Sequence, residues 1–143
     1  MDKLITFAVP CYNSAAYMEH CVDTLLQGGS DIEIILVDDG STKDDTPAIC
    51  DRYQEQYPDI VRAIHQPNGG HGEGVNQGIR NARGIYYKVV DSDDWVDVPA
   101  LKKALDKLRQ FVRDGKLVDM LVCNYVYEHV EDHTQKVMRY TNV

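Results

Sequence analysis

The chain has 143 residues, and its 23 Asp and Glu against 15 Lys and Arg give a formal net charge of −8. A chain of this length buries roughly two-thirds of its unfolded surface, so a hydrophobic fraction of 43% predicts one folded domain and excludes disordered and disulfide-stapled classes. The acidic balance argues against general nucleic-acid binding, which depends on clustered Lys and Arg, so an anionic ligand must be held locally or through a cation.

Apolar runs and helical periodicity alternate along the first half of the chain. Residues 4–9 and 32–37 are predicted strands, because each is a short continuous apolar run that a proline or a turn sequence ends. Between them, apolar residues spaced at i, i+3 and i+4 over residues 18–26 predict a helix. A second helix is predicted from Thr46-Pro47, since proline is tolerated at the first helical position. Its predicted buried face consists of Ile49, Tyr53 and Tyr57.

The same alternation continues through the second half of the chain. Residues 67–74 are too rich in glycine for regular structure and are predicted to form a loop. Apolar spacing predicts two further helices, at residues 75–83 and from Pro99 to a C-cap at Gly115. Short apolar runs predict three further strands, at residues 61–65, 85–90 and 117–122. The chain would close with a hairpin of residues 125–128 and 137–140 that turns at 132–134.

This order of elements predicts an α/β fold: a Rossmann-like, doubly wound and mainly parallel sheet with helices on both faces and a C-terminal hairpin. In such sheets ligands bind beyond the carboxyl ends of the strands. Four segments that are rich in polar or turn-forming residues follow predicted strands, at residues 10–13, 38–41, 65–70 and 91–95. We therefore expect a site at this edge of the sheet.

The cysteines and the N-terminus indicate the compartment. Four cysteines occur without any C-x-x-C pair, which favours reduced and mostly buried thiols over a zinc site. There is no run of 18 apolar residues, and the first residues lack the features of a signal peptide. We expect a cytoplasmic protein with no membrane segment in this chain, peripheral at the inner membrane face only through segments outside it. The cysteines are Cys11, Cys21, Cys50 and Cys123.

Three carboxylates are concentrated in Asp91-Ser92-Asp93-Asp94, directly after the fourth predicted strand. Their mutual repulsion is unfavourable unless a positive group lies among them. Hard oxygen ligands suit Mg²⁺ or Mn²⁺, which bind through one or two carboxylates together with substrate phosphates. A solvated acidic turn that caps the following helix is the alternative interpretation.

A second acidic pair, Asp38-Asp39, would face the same edge of the sheet. A carboxylate can accept a hydrogen bond from a nucleobase N–H, and the ring of Tyr12 offers a stacking surface. Taken separately each is ordinary, since Tyr12 alone is more often a packing residue and Asp-Gly-Ser alone is more often a turn. The dinucleotide fingerprint G-x-G-x-x-G fails, because Val75 and Gln77 stand where the third glycine is required when counting from Gly70 and from Gly72, and no phosphate-binding P-loop sequence occurs. A receiver domain is disfavoured because its acidic pair would follow the first strand.

Four sequence blocks resemble the nucleotide-sugar-binding half of family 2 glycosyltransferases with the GT-A fold. They cover residues 4 to about 101 in the family's order. The blocks are Val9-Pro10-Cys11-Tyr12-Asn13, Val37-Asp38-Asp39-Gly40-Ser41-Thr42, Asn76-Gln77-Gly78 with Ala82-Arg83-Gly84, and Asp91-Ser92-Asp93-Asp94-Trp95. The resemblance implies a GT-A domain over residues 1–143, expected to be truncated before the acceptor-binding and catalytic-base segments.

The resemblance also implies roles for individual residues. Tyr12 would lie on the base, usually uracil, and Asp39 on its N–H, with Asp38 as a neighbour. Asp91 would face the ribose, and Asp93 the metal ion, with Asp94 in support. His71 stands where many relatives have a basic residue near the donor, and a loop histidine without a ligand is an equal alternative. The residues predicted to bind the nucleotide are Pro10, Tyr12, Asn13, Asp38, Asp39, Gly70, His71, Asn76, Asp91 and Ser92; those predicted to bind Mn²⁺ or Mg²⁺ are Asp93, Asp91 and Asp94.

The implied activity is the inverting transfer of a sugar from a nucleotide diphosphate sugar to a glycan or lipid-linked acceptor of a bacterial surface polysaccharide. A UDP-sugar is the donor that the resemblance favours. Inversion requires a general base, which we expect beyond Val143; Glu128, Glu131 and Asp132 are better interpreted as hairpin surface. A nucleotide-sugar-binding module without catalysis is the main alternative. A nucleotidyltransferase is less favoured, because its basic glycine-rich loop after the first strand is not present here.

Overall fold

The computed structural model describes residues 3–116 together with the backbone of two strands, residues 125–129 and 134–138. The chain forms two compact units, Met1–Leu105 and Asp106–Val143. The predicted strand at residues 117–122, the predicted turn at 132–133 and Cys123 lie outside the described residues. The elements in chain order are β1 (Lys3–Cys11), α1 (Met18–Leu26), β2 (Ile32–Asp38), α2 (Thr46–Gln56), β3 (Val61–His65), α3 (His71–Asn81), β4 (Gly84–Val89), α4 (Val98–Arg113), β5 (Tyr125–His129) and β6 (Thr134–Met138).

The first unit contains a four-stranded parallel sheet with the strand order β3-β2-β1-β4. The chain builds outwards from β1 to β3 and then crosses back to place β4 on the other side of β1. All seven residues of β2 are buried, as expected for an internal strand of a parallel sheet. In register, Cys11 pairs with Asp38 and Asp38 with His65, so the carboxyl ends of three strands lie side by side. The predicted α/β fold is confirmed.

Successive residues of β1 contact helices on opposite faces of the sheet, because side chains alternate along a strand. Pro10 lies against Gly74 of α3: a Cβ added to that glycine would come within 3.2 Å of the proline ring. Cys11 points the other way, towards Cys50 of α2. Contact with Cys50 and burial raise the pKa of Cys11, so this thiol stays protonated. The three described cysteines, the third being Cys21, are buried and free, as predicted.

Helix α3 packs unusually close to β1 at Gly78. A Cβ at this position would lie 2.6 Å from Cβ of Ala8 and 2.5 Å from the hydroxyl of Tyr87. Both separations are too short for carbon in a packed interior, so the helix can approach the sheet this closely only with glycine here. This contact fixes the helix axis and therefore the position of its first turn at the carboxyl edge.

We expect urea titrations to show that Gly78→Ala lowers the free energy of unfolding by about 1–2 kcal/mol. The destabilisation from overpacking is larger than the stabilisation from the better helix propensity of alanine. Gly72→Ala is the matched control on the same helix, since a Cβ there meets nothing within 4 Å. Its stability should rise by up to about 1 kcal/mol. Equal stabilities for the two variants would contradict the close contact.

The prediction for the start of α3 is wrong: the helix begins at His71, not at Val75. The predicted loop over residues 67–74 is therefore only half as long. Glycines at positions 72 and 74 disfavour a helix intrinsically, but Gly74 is buried against Pro10, and this packing outweighs the propensity. Tyr57 also differs from prediction, because it follows the end of α2 and is 40% exposed.

The predicted end of α4 and the predicted hairpin are confirmed. Gly115 has φ of +68°, its N–H donates to the carbonyl of Val112 and the N–H of Lys116 donates to that of Phe111, which is the Schellman pattern of a glycine-terminated helix. In the second unit, β5 pairs with β6 in antiparallel fashion. Thr134, predicted in the turn, is the first residue of β6.

One buried charge lies within the strand that was predicted as an apolar run. Glu33 of β2 is 3% exposed and accepts hydrogen bonds from Thr6 at 2.8 Å and from the backbone N–H of Arg83 at 2.9 Å. Arg62 of β3 completes the set with an ion pair at 3.1 Å. The network joins three strands to the segment between α3 and β4, and its polar groups are paired as burial requires.

Candidate functional site

The carboxyl ends of the four parallel strands open into a cleft of about 520 Å³. Each strand contributes lining residues from the segment that follows it, as expected where the strand order reverses at β1. The volume lies within the range typical of small-molecule and cofactor sites. The lining residues are Pro10, Cys11, Tyr12, Asn13, Ser14, Tyr17, Asp39, Asn68, Gly70, His71, Asp91, Ser92 and Asp93.

Eight of the ten residues predicted to bind the nucleotide line this cleft, and Asp38 and Asn76 are not among the lining residues. Asn76 instead lies on α3 near Glu73, whose pKa is lowered chiefly by Arg80 and also by Asn76. Four lining residues were missed by sequence reasoning. Three of them adjoin a predicted site residue or stand two positions from one, so a wider window after each strand would have found them. Those missed are Cys11, Ser14, Asn68 and Tyr17, the last at the start of α1.

Asp39 holds the loop between β3 and α3 in place. Its Oδ1 accepts from the N–H of Gly69 at 2.7 Å and from Nε2 of Gln66 at 2.8 Å, and its Oδ2 accepts from the N–H of Gly70 at 3.0 Å. The amide of Asn68 makes a longer contact with Oδ2 at 3.4 Å. Burial raises the pKa of Asp39, but the hydrogen bonds outweigh burial and leave the pKa below its ordinary value. Asp39 is therefore a fixed anion in the cleft wall.

Asp38 points away from the cleft and is 3% exposed. Its Oδ1 accepts from the N–H of Ser41 at 3.0 Å, and its Oδ2 lies 2.7 Å from Nδ1 of His65. The other ring nitrogen of His65 lies 2.7 Å from the Asp51 carboxylate on α2. The two adjacent acidic residues thus have different environments, because consecutive residues at a strand end face opposite sides.

Hydrogen bonds to the hydroxyl of Ser14 shape the segment after β1. The backbone N–H of Tyr12 donates to Oγ of Ser14 at 3.0 Å, and the Ser14 hydroxyl lies 2.8 Å from that of Ser92, which follows β4. Asn13 has φ of +47°, a left-handed conformation that asparagine tolerates better than most residues. The turn leaves the ring of Tyr12 51% exposed at the cleft wall.

Asp91, Asp93 and Asp94 form the acidic trio, in which one carboxylate oxygen from each residue lies within 4.8 Å of the others. Burial, followed by repulsion from Asp93 and Asp91, raises the pKa of Asp94. Below the trio, Cys21 donates to the carbonyl of Asp91 at 3.6 Å. Burial and the three carboxylates raise the pKa of Cys21 to about 12, so this thiol stays neutral. Three exposed, converging oxygen ligands fit a hard divalent cation.

His71 at the start of α3 is paired with the acidic trio. Its Nε2 lies 2.8 Å from Oδ1 of Asp91, and both side chains are largely exposed. The N-terminus of α3 therefore faces the segment after β4 across the cleft. Helix N-termini favour anions, and the acidic trio favours cations, so the cleft has a complementary pair of walls.

Comparison with known proteins identifies the family. Residues 6–141 match glycosyl transferase family 2. The chain belongs to this family. Glycosyltransferase GlyG of Streptococcus pneumoniae is 42% identical over 127 residues, which are 87% of this chain and 40% of GlyG. The predicted family resemblance is confirmed.

Two solved structures have the same fold as this family 2 chain. Residues 1–349 of S. aureus TarS, crystallised with UDP-GlcNAc, superpose with a TM-score of 0.65 and 27% identity over 76% of this chain and 32% of that chain. The mannosyltransferase PcManGT of Pyrobaculum calidifontis, in complex with GDP-Man and Mn²⁺, gives 0.63 and 28% over 73% of this chain and 32% of that protein. The family 2 chain spans less than half the length of each relative. None of its described helices is long and apolar enough to cross a membrane.

Proposed function

We propose that this chain is the donor-binding part of an inverting glycosyltransferase that transfers a sugar from a UDP-sugar to a glycan or lipid-linked acceptor. The observation that carries the proposal is the presence of Asp39, Tyr12 and the acidic trio around one cleft at the switch point of a parallel sheet. A nucleoside diphosphate needs an aromatic surface, a fixed acceptor and a means of neutralising two phosphates. The two walls of the cleft offer all three.

At the nucleotide end, Tyr12 would stack on the base, which is worth about 1–3 kcal/mol for an aromatic residue. Asp39 would accept a base N–H. Its four acceptor positions are engaged, and the contact from Asn68 at 3.4 Å is the longest of them. We propose that the base N–H replaces this contact, which leaves the bonds to Gly69 and Gly70 intact.

At the diphosphate end, Asp93, Asp91 and Asp94 would hold Mn²⁺ or Mg²⁺, with Asp91 also facing the ribose. A divalent cation there would neutralise the charge that develops on the departing nucleoside diphosphate. His71, held against Asp91, would face the same phosphates from the start of α3. Together with Asp39, these three are all the carboxylates predicted in the site except Asp38, which does not line the cleft.

A general base for the acceptor hydroxyl is the remaining requirement of inversion. The carboxylates that line the cleft within residues 3–116 are Asp39, Asp91 and Asp93, and each already has a role on the donor side. We therefore propose that the base is supplied from outside these residues. The same observation favours the second candidate function, a nucleotide-sugar-binding module without catalysis of its own.

Calorimetric titration of the chain with UDP and with GDP, each with and without Mn²⁺, tests the donor site. We expect binding of UDP that requires the cation, because the fixed anions of the cleft would otherwise repel the diphosphate. Binding that is independent of the cation, or a preference for GDP, would contradict the assignment of metal or base. Transfer assays on the same chain then separate an enzyme from a binding module.

A further inference from the structure

His65, the last residue of β3, lies between carboxylates from two other elements. Its Nδ1 is 2.7 Å from Oδ2 of Asp38 on β2, and its Nε2 is 2.7 Å from Oδ1 of Asp51 on α2. Both ring nitrogens donate hydrogen bonds only when the imidazole is protonated. The geometry therefore selects the imidazolium form, and the bonds to Asp38 and then Asp51 raise the pKa of His65.

The charge on His65 matters because Asp38 is buried. A buried carboxylate without a positive partner is strongly destabilising, and the described ion pair of Asp38 is the one with His65. Cys11, beside Asp38 on β1, contributes no charge, because its contact with Cys50 and its burial raise its thiol pKa. Within residues 3–116, the groups described next to the Asp38 carboxylate are thus His65, Ser41 and a neutral thiol.

Asp38 is connected to the cleft through the turn after β2. The N–H of Ser41 donates to Oδ1 of Asp38, and Oγ of Ser41 accepts from the N–H of Asn13 at 2.9 Å. Asn13 has left-handed backbone and lines the cleft next to Tyr12. The orientation of one buried carboxylate therefore helps to fix the segment that presents the Tyr12 ring.

We propose that His65 is a positioning residue for nucleotide binding: its imidazolium holds the Asp38 carboxylate, which through Ser41 holds residues 12–13 in the binding conformation. When His65 releases its proton to solvent, one of its two hydrogen bonds is lost and the buried charge of Asp38 is uncompensated. Nucleotide affinity then falls as pH rises. The expected effect on nucleotide affinity rests on the proposed function. The expected effect of His65 on folding stability does not depend on it.

The test compares UDP affinity in the presence of Mg²⁺ between about pH 6 and about pH 9, a range that starts near the pKa of free histidine. Over this range the UDP affinity of wild type should fall about tenfold more than that of His65→Gln, because a hydrogen bond to a charged group contributes about that much to affinity. The His65→Gln variant should bind UDP weakly at every pH. Asp51→Asn should move the decrease to lower pH. Glu55→Gln, one turn further along α2 and also exposed, should keep the wild-type profile.

Thermal unfolding without nucleotide gives an independent reading. Because the pKa of His65 is higher in the folded than in the unfolded chain, the protonated ring stabilises the fold below about pH 6.5. This stabilisation is lost as the pH rises through the folded-state pKa. Wild type should therefore melt above His65→Gln at low pH and approach it at high pH. Identical pH profiles of melting temperature and affinity in these two proteins would overturn the proposal. Absence of UDP binding in every variant at every pH would instead contradict the proposed function, and the melting profiles would still decide the role of His65.

Discussion

Replacing Asp39 by Asn is expected to abolish measurable UDP binding and to lower the free energy of unfolding by about 1–3 kcal/mol, the usual cost of leaving a buried hydrogen-bonding group unsatisfied. An amide keeps one acceptor oxygen and puts an NH₂ group where the second oxygen was. The N–H of Gly69 or that of Gly70 would then face a donor. Urea unfolding at neutral pH and calorimetry with UDP measure the two effects.

Asp59→Asn, in the exposed turn before β3, is the control for the loss of one carboxylate and should change neither quantity. The difference between wild type and Asp39→Asn should also depend on pH. Because its hydrogen bonds lower the pKa of Asp39 in spite of burial, the carboxylate contributes stability above its unfolded pKa of about 3.9, and the contribution is lost as pH falls through the folded pKa. A stability difference that persists at acid pH would contradict this origin.

Replacing Asp93 by Asn is expected to change stability in opposite directions with and without metal. In the metal-free chain the carboxylates of the acidic trio repel one another, and this repulsion adds to burial in raising the pKa of Asp94, so the variant should melt slightly above wild type in a chelator. At a Mn²⁺ concentration about 100-fold above its dissociation constant, wild type gains about 2.7 kcal/mol, and a tenfold weaker variant would keep about half of that. Melting curves with Mn²⁺ and with chelator measure both.

Asp97→Asn is a matched control for this variant, because Asn caps a helix as well as Asp does. Asp97 lies four residues beyond Asp93, outside the acidic trio, and its Oδ2 accepts from the N–H of Ala100 at 3.1 Å. It should show neither the gain in chelator nor the loss with Mn²⁺. Equal behaviour of the two variants would show that the acidic trio is a solvated turn, the alternative that the sequence left open.

The local pattern of residues predicts the sheet and the position of the cleft well, because both follow from periodicity of two or 3.6 residues and from the rule that parallel strands end together. Residues 10–13 and 91–95 could be assigned to one edge before their contacts were known. Periodicity does not indicate which side chains contact each other across the fold. Glu33 stands in an apolar run, and only the structure identifies Thr6 and Arg62 as its partners.

The same limit explains the errors around the candidate site. Asp38 and Asp39 read alike in sequence, yet one carboxylate binds the loop before α3 and the other binds His65, 27 residues away in the chain. The early start of α3 depends on the fit of Gly74 against Pro10, a tertiary contact that overrides the low helix propensity of glycine. Both of these errors concern a pair of residues that are distant in sequence.

The close seating of α3 on β1 has a consequence for protein engineering. Gly74 and Gly78 anchor the helix from its second turn onwards, whereas an added Cβ at Gly72 meets no atom within 4 Å. Side chains at positions 71 and 72, in the first turn, can therefore be exchanged to alter contacts with the proposed donor without shifting the sheet. Libraries that diversify this turn and keep both anchoring glycines should retain the fold while they vary the side chains that face the proposed donor.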